Sequence, residues 1–484
     1  MLKNNPVIKF ILKYKFLILI LILVTLLRIP SLFEPNHYAD EDIYLTLGQG
    51  LKKGLVFYRD IHDNKPPLLY LTAAIAGNIT NFKIILLFWN LVNIVLVWFL
   101  ASNFFKSSRT IFLITLLFGI FSTIPLLEGN LANGEIFMIM PITAAIIILF
   151  TSQKYFWAGI LFSLGFLFKV PVGFEFLGIL FWLTFYQSKT VLLGIKKIFS
   201  KDILFLIFGF ILPILYTIVY YFIVGAGLAY IKAAFFQNVG YLSSWENHSP
   251  FFQSGLFIRA AILFICFAFI YFFRNKLTPK FGFIALWFLS SLFGALLSGR
   301  PYPHYLIEII LPTILVTMTL FSEPKLYFKT ISFSLLIILI FSIFYFKFWH
   351  YHTLDYYQNF VKYQFRLIDK NQYLNFFGDG VITNQKISEY IKSNTTNQDR
   401  IFVWGTEPSI YVLSNRLPVG KYTVAYHISD FNGYQETIDA IKSRGPKFIV
   451  GYSMSNQPFP ELNDILRYYF LDKIFGSTLI FQKR

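Results

Sequence analysis

Long apolar runs divide the first 350 residues of this chain, and they constrain its fold more than any other feature. Most of them hold about 18–22 residues, the length that lets a helix cross the hydrocarbon core of a bilayer. Only 14% of all residues are charged, whereas soluble globular proteins carry about a quarter. The sequence therefore predicts a polytopic α-helical membrane protein. About eleven transmembrane helices are expected, at 15–31, 83–105, 109–127, 134–151, 155–170, 173–188, 203–224, 256–273, 281–298, 304–321 and 328–349.

The basic residues predict which way the chain crosses the membrane. The net charge is +17, and the positive-inside rule places basic connections in the cytoplasm. A cytoplasmic N-terminus puts the connections near 106, 152, 189, 274 and 323 on the same side. This parity requires that 66–80, which opens with two prolines, forms a short juxtamembrane or re-entrant helix. The chain is thus predicted to be a multi-pass protein of the plasma (inner) membrane, with its acidic loops outside.

The composition changes after about residue 350. Polar helical patterns alternate there with β-rich runs such as "RIFVW" and "KFIVGY", which is typical of a small α/β domain. We therefore predict a transmembrane domain over 1–350, including a first outer loop at 31–82 with juxtamembrane helices. An extracytoplasmic α/β domain is predicted over 351–484. The single cysteine, Cys266, excludes an intramolecular disulfide.

The first outer loop carries an unusual density of charge in "NHYADEDIYLTLGQGLKKGLVFYRDIHDNKPP", residues 36–67. Apolar residues recur there with a helical period, which predicts an amphipathic helix over 43–56 on the membrane surface. Asp40 and Glu41 stand at its start. A carboxylate at that position either caps the helix or acts as a general base beside the bilayer. The other acidic residues are interpreted as capping or solvated groups: Asp42, Asp60 and Asp63.

Three cations are predicted on the outer side, where a positive charge requires a structural or functional explanation. Lys65 precedes two prolines at the membrane edge, where it is either a snorkelling anchor or a ligand. Lys169 and Arg300 break the positive-inside rule, and such charges at a membrane boundary are functional candidates. A phosphate at headgroup depth would satisfy all three. His304 follows Arg300 closely and is either an interfacial residue or a contact for phosphate, sugar or metal.

Two further residues are candidate contacts for a sugar or an acceptor. They are Arg59, in the first loop, and Glu135, which could instead cap a helix. No H-x-x-x-H motif, no paired cysteines and no tight acidic cluster with histidine is visible, so no cofactor is required and a divalent metal is unsupported. The glycine-rich "LGQGLKKG" follows no strand, so a nucleotide loop is not expected. The basic charge is explained by membrane topology, and nucleic acid is not a predicted partner.

Several motifs together carry a family resemblance. "ADEDIY" after the first span, "YRDIHDNKPP", a glutamate-containing outer loop, "KVP" and a late "RPYPHY" resemble polyprenol-phosphate-sugar-dependent glycosyltransferases of the GT-C fold. More narrowly, they are similar to bacterial glycosyltransferase family 39, within the superfamily of protein O-mannosyltransferases and aminoarabinose transferases. The resemblance covers about residues 8–350. It implies transfer of a sugar, with inversion, from a polyprenyl-phosphate carrier to an acceptor hydroxyl on the outer face.

The resemblance also implies roles for individual residues. Asp40 would be the catalytic base, Glu41 its neighbour in the acceptor site, and Lys65 a ligand of the carrier phosphate. The residues that would border the carrier pocket are Lys169, Arg300 and His304. Some relatives have a glutamate before the lysine that can join a metal site, and Asn64 stands there in this chain.

Two other classes of function stay open on the sequence. A transporter or flippase of a lipid-linked glycan would favour ionisable residues deep within helices and symmetry between the halves, and neither pattern is visible. A non-catalytic envelope assembly protein would use the α/β domain to bind glycan. Neither the sugar nor the acceptor, which could be protein, lipid or cell-envelope glycan, follows from the sequence.

Overall fold

A computed structural model describes residues 6–237, 255–452 and 459–484. Apolar helices dominate the first 350 residues. Within the described ranges, six helices are long and apolar enough to cross a membrane, and six shorter apolar helices accompany them. Each predicted span overlaps one of these helices, so the predicted class of polytopic α-helical membrane protein is confirmed.

The helices of the described chain are numbered in order. Those before residue 350 are α1 Pro6–Arg28, α2 Ala39–Lys52, α3 Leu68–Ala76, α4 Ile79–Phe104, α5 Ser108–Phe121, α6 Gly134–Thr151, α7 Tyr155–Phe168, α8 Val172–Phe181, α9 Val191–Ile198, α10 Lys201–Ile223, α11 Gly227–Ile231, α12 Gly255–Phe272, α13 Pro279–Ala295, α14 Ile310–Ser322 and α15 Leu326–Tyr345. Short turns of other helical types lie at Ile29–Phe33, Pro125–Leu127, Trp182–Tyr186, Lys232–Phe236 and Pro303–Ile307.

The remaining elements belong to the C-terminal part of the chain. Its helices are α16 Thr353–Gln364, α17 Lys370–Asn375, α18 Gly380–Ser393, α19 Ser409–Ser414, α20 Ala425–Asp430, α21 Tyr434–Arg444 and α22 Pro460–Leu466. Its strands are β1 Arg400–Trp404, β2 Leu417–Pro418, β3 Phe448–Tyr452, β4 Tyr469–Phe475 and β5 Thr478–Lys483.

The chain divides into two compact units. The first unit comprises Met1–Ser31, Leu86–Thr217 and Val239–Thr353, and the second comprises Leu32–Ile85, Ile218–Asn238 and Leu354–Arg484. The first unit thus holds most of the apolar helices. The second combines the first loop of the chain with the C-terminal segment.

Glycines allow two helices of the first unit to approach closely. A Cβ atom added at Gly159, on α7, would collide with the backbone oxygen of Leu206 on α10, and one at Gly209 would collide with that of Phe156. Small residues at helix crossings let backbones come together, which is how membrane helices gain packing energy without a hydrophobic driving force. The α7–α10 crossing therefore depends on Gly159 and Gly209.

The C-terminal segment forms a five-stranded sheet in the order β2-β1-β3-β5-β4. Strands β2, β1 and β3 are parallel, whereas β5 pairs antiparallel with β3 and β4. Side chains alternate between the faces of a strand, and Phe402 and Trp404 pack in one apolar core while Ile401 and Val403 pack in another. Helices cover both faces, which confirms the predicted small α/β fold.

The first loop differs from its prediction in one respect. A short helix at 68–76 confirms that 66–80 is not a full span. However, α2 begins at Ala39 and ends at Lys52, and most of its residues are buried, including Glu41 and Asp42. The interpretation of Asp42 as a solvated group is therefore wrong, whereas the position of this helix on the membrane surface stays a prediction. The helix is covered because α3 and α19 pack against it, and Gln49 Nε2 donates to Val412 O at 3.2 Å.

Candidate active site

Three consecutive carboxylates open α2. The preceding residue, Tyr38, is extended and donates no side-chain cap, and Asp40, Glu41 and Asp42 occupy the first turn. The helix dipole favours negative charge there. Successive residues of a helix point in directions about 100° apart, so the three carboxylates have different surroundings. The Asp40 side chain retains 27% of its exposure, whereas Glu41 and Asp42 are buried.

Asp40 lies beside Lys65. Lys65 Nζ is 3.7 Å from Asp40 Oδ2, and Lys65 also retains partial exposure, at 23%. The Tyr44 hydroxyl donates a hydrogen bond to Asp40 Oδ2 at 2.9 Å, and Lys65 Nζ lies 5.0 Å from the centre of the Tyr44 ring. The two ends of the stretch 36–67 thus meet in space. A carboxylate and an ammonium group are held side by side on an accessible surface.

Asp63 and His427 lie behind Lys65. Asp63 is buried, accepts a hydrogen bond from Asn64 N at 2.6 Å, and lies 3.9 Å from Lys65 Nζ. Burial acts to raise the pKa of Asp63, but Lys65 and His427 outweigh it and hold the pKa below its usual range. His427 Nε2 is 3.8 Å from Asp63 Oδ1. The prediction that Asp63 is solvated is wrong, because C-terminal residues such as His427 cover it.

A buried triad holds Glu41, and sequence reasoning missed two of its members. Lys83 Nζ lies 2.8 Å from Glu41 Oε1 and 2.8 Å from Glu34 Oε2, with all three side chains almost fully buried. The Tyr356 hydroxyl donates to Glu34. Burial opposes ionisation of Glu34, yet Lys83 chiefly keeps its pKa below its usual range. The available signal was Lys83 itself, a cation at the start of an apolar helix.

Asp42 is buried, and its carboxyl group has one hydrogen-bond partner among the described residues. It accepts a hydrogen bond from the Asn36 amide. Burial raises the pKa of Asp42 to about 8, against the effect of Asn36 and with the help of the neighbouring Glu41. A carboxyl group in such surroundings stays protonated at neutral pH. Asp42 is therefore a structural residue of the first turn and does not form a solvated face.

Lys169 and His304, two candidate residues of the first unit, have carboxylate partners. Lys169, directly after α7, pairs with Glu135 in the first turn of α6, and its Nζ lies 4.4 Å from the centre of the Tyr305 ring. His304 Nδ1 contacts Glu128, and its Nε2 is 3.6 Å from Glu135 Oε1. Lys169, His304 and two glutamates thus form one polar cluster. The sequence predicts a phosphate partner for Lys169, and in this structure Glu135 forms an ion pair with it.

Arg300 and Arg59 have other defined contacts. Arg300 is half-buried and its backbone N donates to Ser298 Oγ at 3.2 Å. Arg59 exposes 48% of its side chain and its Nε is 2.8 Å from Asp60 Oδ1. Asp60 also accepts from Val56 N at 2.8 Å. The interpretation of Asp60 as a capping or solvated group holds only in part, because its carboxylate has two defined partners.

Comparison with known proteins was made on sequence and on structure. No protein-family model matches the chain, and no curated protein matches it in sequence. Its structure is similar to the crystal structure of ArnT from Cupriavidus metallidurans bound to undecaprenyl phosphate, with a TM-score of 0.54 at 10% identity. The match covers 97% of this chain and 98% of that chain. The chain has the GT-C fold. The apo state of the same ArnT matches with a TM-score of 0.51 at 9% identity over the same shares.

The GT-C fold confirms the predicted architecture over nearly the whole chain. The resemblance based on "ADEDIY", "YRDIHDNKPP" and "RPYPHY" covered only the membrane region, whereas the structural likeness includes the C-terminal segment. Among the described residues, no group of three or more His, Cys, Asp or Glu side chains is arranged to hold a metal ion. That no cofactor is required stays a prediction, as do the roles of the individual site residues.

Proposed function

We propose that this GT-C protein is a membrane glycosyltransferase that moves a sugar from a polyprenyl-phosphate carrier to an acceptor hydroxyl. The observation that carries this proposal is the 3.7 Å separation of Asp40 Oδ2 and Lys65 Nζ on a partly open surface. A carboxylate within reach of a hydroxyl can accept its proton. A preplaced cation stabilises the negative charge that develops on a departing phosphate. The undecaprenyl phosphate held by the structurally similar ArnT supports a lipid carrier.

The reaction in this proposal is a single displacement. The acceptor oxygen attacks the anomeric carbon as the bond from that carbon to the phosphate oxygen breaks, and Asp40 takes the acceptor proton. Polyprenyl phosphate leaves with the bonding electron pair, and Lys65 compensates its charge. One displacement inverts the anomeric configuration. Tyr44 orients the base through its hydrogen bond to Asp40 Oδ2.

Glu41 has a supporting role in this proposal. Its carboxylate is 1% exposed and bonded to Lys83, so a direct contact with acceptor would require breaking a buried ion pair. We therefore assign Glu41 to positioning the first turn of α2, from which Asp40 projects. Removing one partner of a buried ion pair lowers the free energy of unfolding by several kcal/mol. The Glu41–Lys83 pair therefore stabilises the position of this turn.

Lys169, Arg300 and His304 of the first unit are assigned to the carrier headgroup. Lys169 and His304 already bind glutamates, which keep their side chains in place before a donor arrives. Arg300 can bind a phosphate bidentately. The proposed reaction takes place on the outer face of the plasma membrane with the N-terminus inside, because the basic connections favour that orientation.

Transfer by purified protein tests the proposal. The protein in detergent is incubated with defined polyprenyl-phosphate sugars and with protein, lipid-linked glycan or cell-wall acceptors, and products are identified by mass. We expect transfer from at least one lipid donor, with an inverted linkage by NMR. Failure with every lipid donor together with turnover of a nucleotide sugar would overturn the mechanism.

Asp40→Asn tests the base. We expect a loss of about 10²–10⁴-fold in kcat with an unchanged unfolding temperature, because the amide preserves the shape of the side chain. Asp430→Asn, at an exposed position, serves as the matched control and should retain activity. Full activity of Asp40→Asn would remove the base assignment.

A further inference from the structure

A charged cleft lies in the second unit, between the first loop and the α/β segment. The turn after α2 contributes Arg59 and Asp60, the loop after β2 contributes Lys421, and α21 contributes Glu436 and Arg444. Residues 436, 440 and 444 are spaced by four positions and 437 lies three before 440, so they line the cleft from one side of α21.

Small residues line part of the cleft, and hydrogen bonds connect the segments around it. A Cβ atom at Gly420 would lie 3.7 Å from the Cβ of Ala440, so no large side chain fills the space between them. His62 N donates to Lys421 O at 2.9 Å, and Arg444 Nη1 donates to Val419 O at 2.6 Å. The first loop and the α/β segment are thus connected through the backbone around this cleft.

Cations outnumber carboxylates around the cleft. Arg59 binds Asp60 through two nitrogens, at 2.8 and 2.9 Å, and Lys421 Nζ lies 2.7 Å from Glu436 Oε2. Arg444 and the neighbouring Arg400 add two positive charges. Burial and then the charge of Arg444 lower the pKa of Arg400, while Asp60 offsets part of this effect. The two guanidinium groups therefore repel each other. A bound anion would relieve that repulsion.

We propose that this cleft binds a carboxylate-bearing sugar of the acceptor. Within the described residues, Arg444 makes one hydrogen bond, to Val419 O, and a guanidinium has five N–H donors. The partner of Lys421, Glu436, is 54% exposed, and such surface pairs contribute little, so an anion displaces Glu436 readily. The carboxylates of Asp60 and Glu436 accept hydrogen bonds from sugar hydroxyls. The inference rests on the proposed function and names its acceptor class as an acidic glycan.

Binding without transfer tests the inference independently of catalysis. Trigalacturonate, its carboxyl-reduced counterpart and phosphatidylglycerol vesicles are titrated against the full-length protein by calorimetry, without lipid donor. We expect trigalacturonate to bind at least about tenfold more tightly than the reduced trisaccharide, because hydrogen bonds to charged groups are the strong ones. Equal affinity for the charged and reduced sugars, or binding of the vesicles alone, would overturn the inference.

Variants locate the binding to the cleft. Arg444→Met and Lys421→Met should each weaken trigalacturonate binding about tenfold or more, whereas Arg444→Lys should retain part of it. Lys442→Met, on the exposed side of α21, is the matched control and should bind as the parent does. If Arg444→Met is poorly folded by thermal unfolding, Lys421→Met decides the result. Unchanged binding in folded Lys421→Met and Arg444→Met would contradict the assignment, whatever the transfer assay shows.

Discussion

Lys83 Nζ lies 2.8 Å from Glu41 Oε1, and both side chains are buried. Glu34 occupies the other side of the same ammonium group, also at 2.8 Å. One cation therefore joins the end of the first apolar segment to the first turn of α2 and to the start of α4. This arrangement places the turn that carries Asp40.

Removal of Lys83 should destabilise the protein strongly. Lys83→Met leaves two buried carboxylates without their cation, and breaking a buried ion pair from one side costs about 3–5 kcal/mol. We expect a large fall in unfolding temperature, measured by intrinsic fluorescence in detergent. Lys83→Met combined with Glu34→Gln and Glu41→Gln should recover part of the loss. Lys52→Met, exposed at the end of α2, is the control, and equal stability of Lys83→Met and Lys52→Met would contradict the prediction.

Lys65 should affect donor use more than stability. Lys65→Met removes a partly exposed cation beside Asp40, and a charged hydrogen bond to phosphate is worth about 1.5–3 kcal/mol. We expect kcat/KM for the lipid donor to fall about 10–100-fold, with Lys65→Arg retaining an intermediate value. Lys386→Met, at an exposed site on α18, controls for the loss of one positive charge. An unchanged kcat/KM in Lys65→Met would exclude the phosphate contact.

Asp42 should make stability depend on pH. Its pKa rises from an ordinary 3.8 to about 8 in the folded protein. Between these values the folded chain holds a proton that the unfolded chain has released, so the free energy of unfolding falls as pH rises from about 4 to 8. Asp42→Asn cannot titrate. Its unfolding temperature relative to the parent should therefore increase across that window, by roughly 5 °C or more, and level off above it.

The pH range in which the unfolding temperatures of Asp42→Asn and the parent differ distinguishes a protonated Asp42 from an ionised one. Below about pH 4 Asp42 is protonated in both states, and the two proteins should differ least. A difference that is constant from pH 4 to 8 would show that Asp42 is ionised in the folded protein. Asp430→Asn, which changes an exposed carboxylate, controls for the loss of one charge.

The α7–α10 crossing should tolerate no side chain at Gly159 or Gly209. Gly159→Val places carbon atoms against the backbone oxygen of Leu206, which cannot rotate away. Overpacking of this kind costs about 1–3 kcal/mol, so thermal unfolding should shift to lower temperature. Leu215→Val changes an exposed residue of α10 and should have little effect. A parent-like stability of Gly159→Val would show that the helices separate freely.

The sequence by itself determined the class of this protein and the positions of its helices. Apolar runs are local, and the length needed to cross a bilayer is a fixed quantity, so each predicted span has its helix. The short helix at 68–76 followed equally from the two prolines before it. The alternation of strand and helix patterns after residue 350 predicted the α/β segment, because these patterns are also local.

Tertiary structure alone decided which polar residues meet. Lys65 reaches Asp40, and Lys83 joins Glu34 to Glu41, because the chain folds back between them. The periodicity of residues within one segment does not predict which other segment will pack against it. The interpretation of Asp42 as a solvated group was wrong for the same reason, since α19, which packs against α2, comes from a distant part of the sequence. Charged residues in a sequence indicate candidate site residues. Whether a carboxylate acts as a base, belongs to an ion pair or stays a neutral acid depends on its burial and its partners. Both arise only when separate segments pack together.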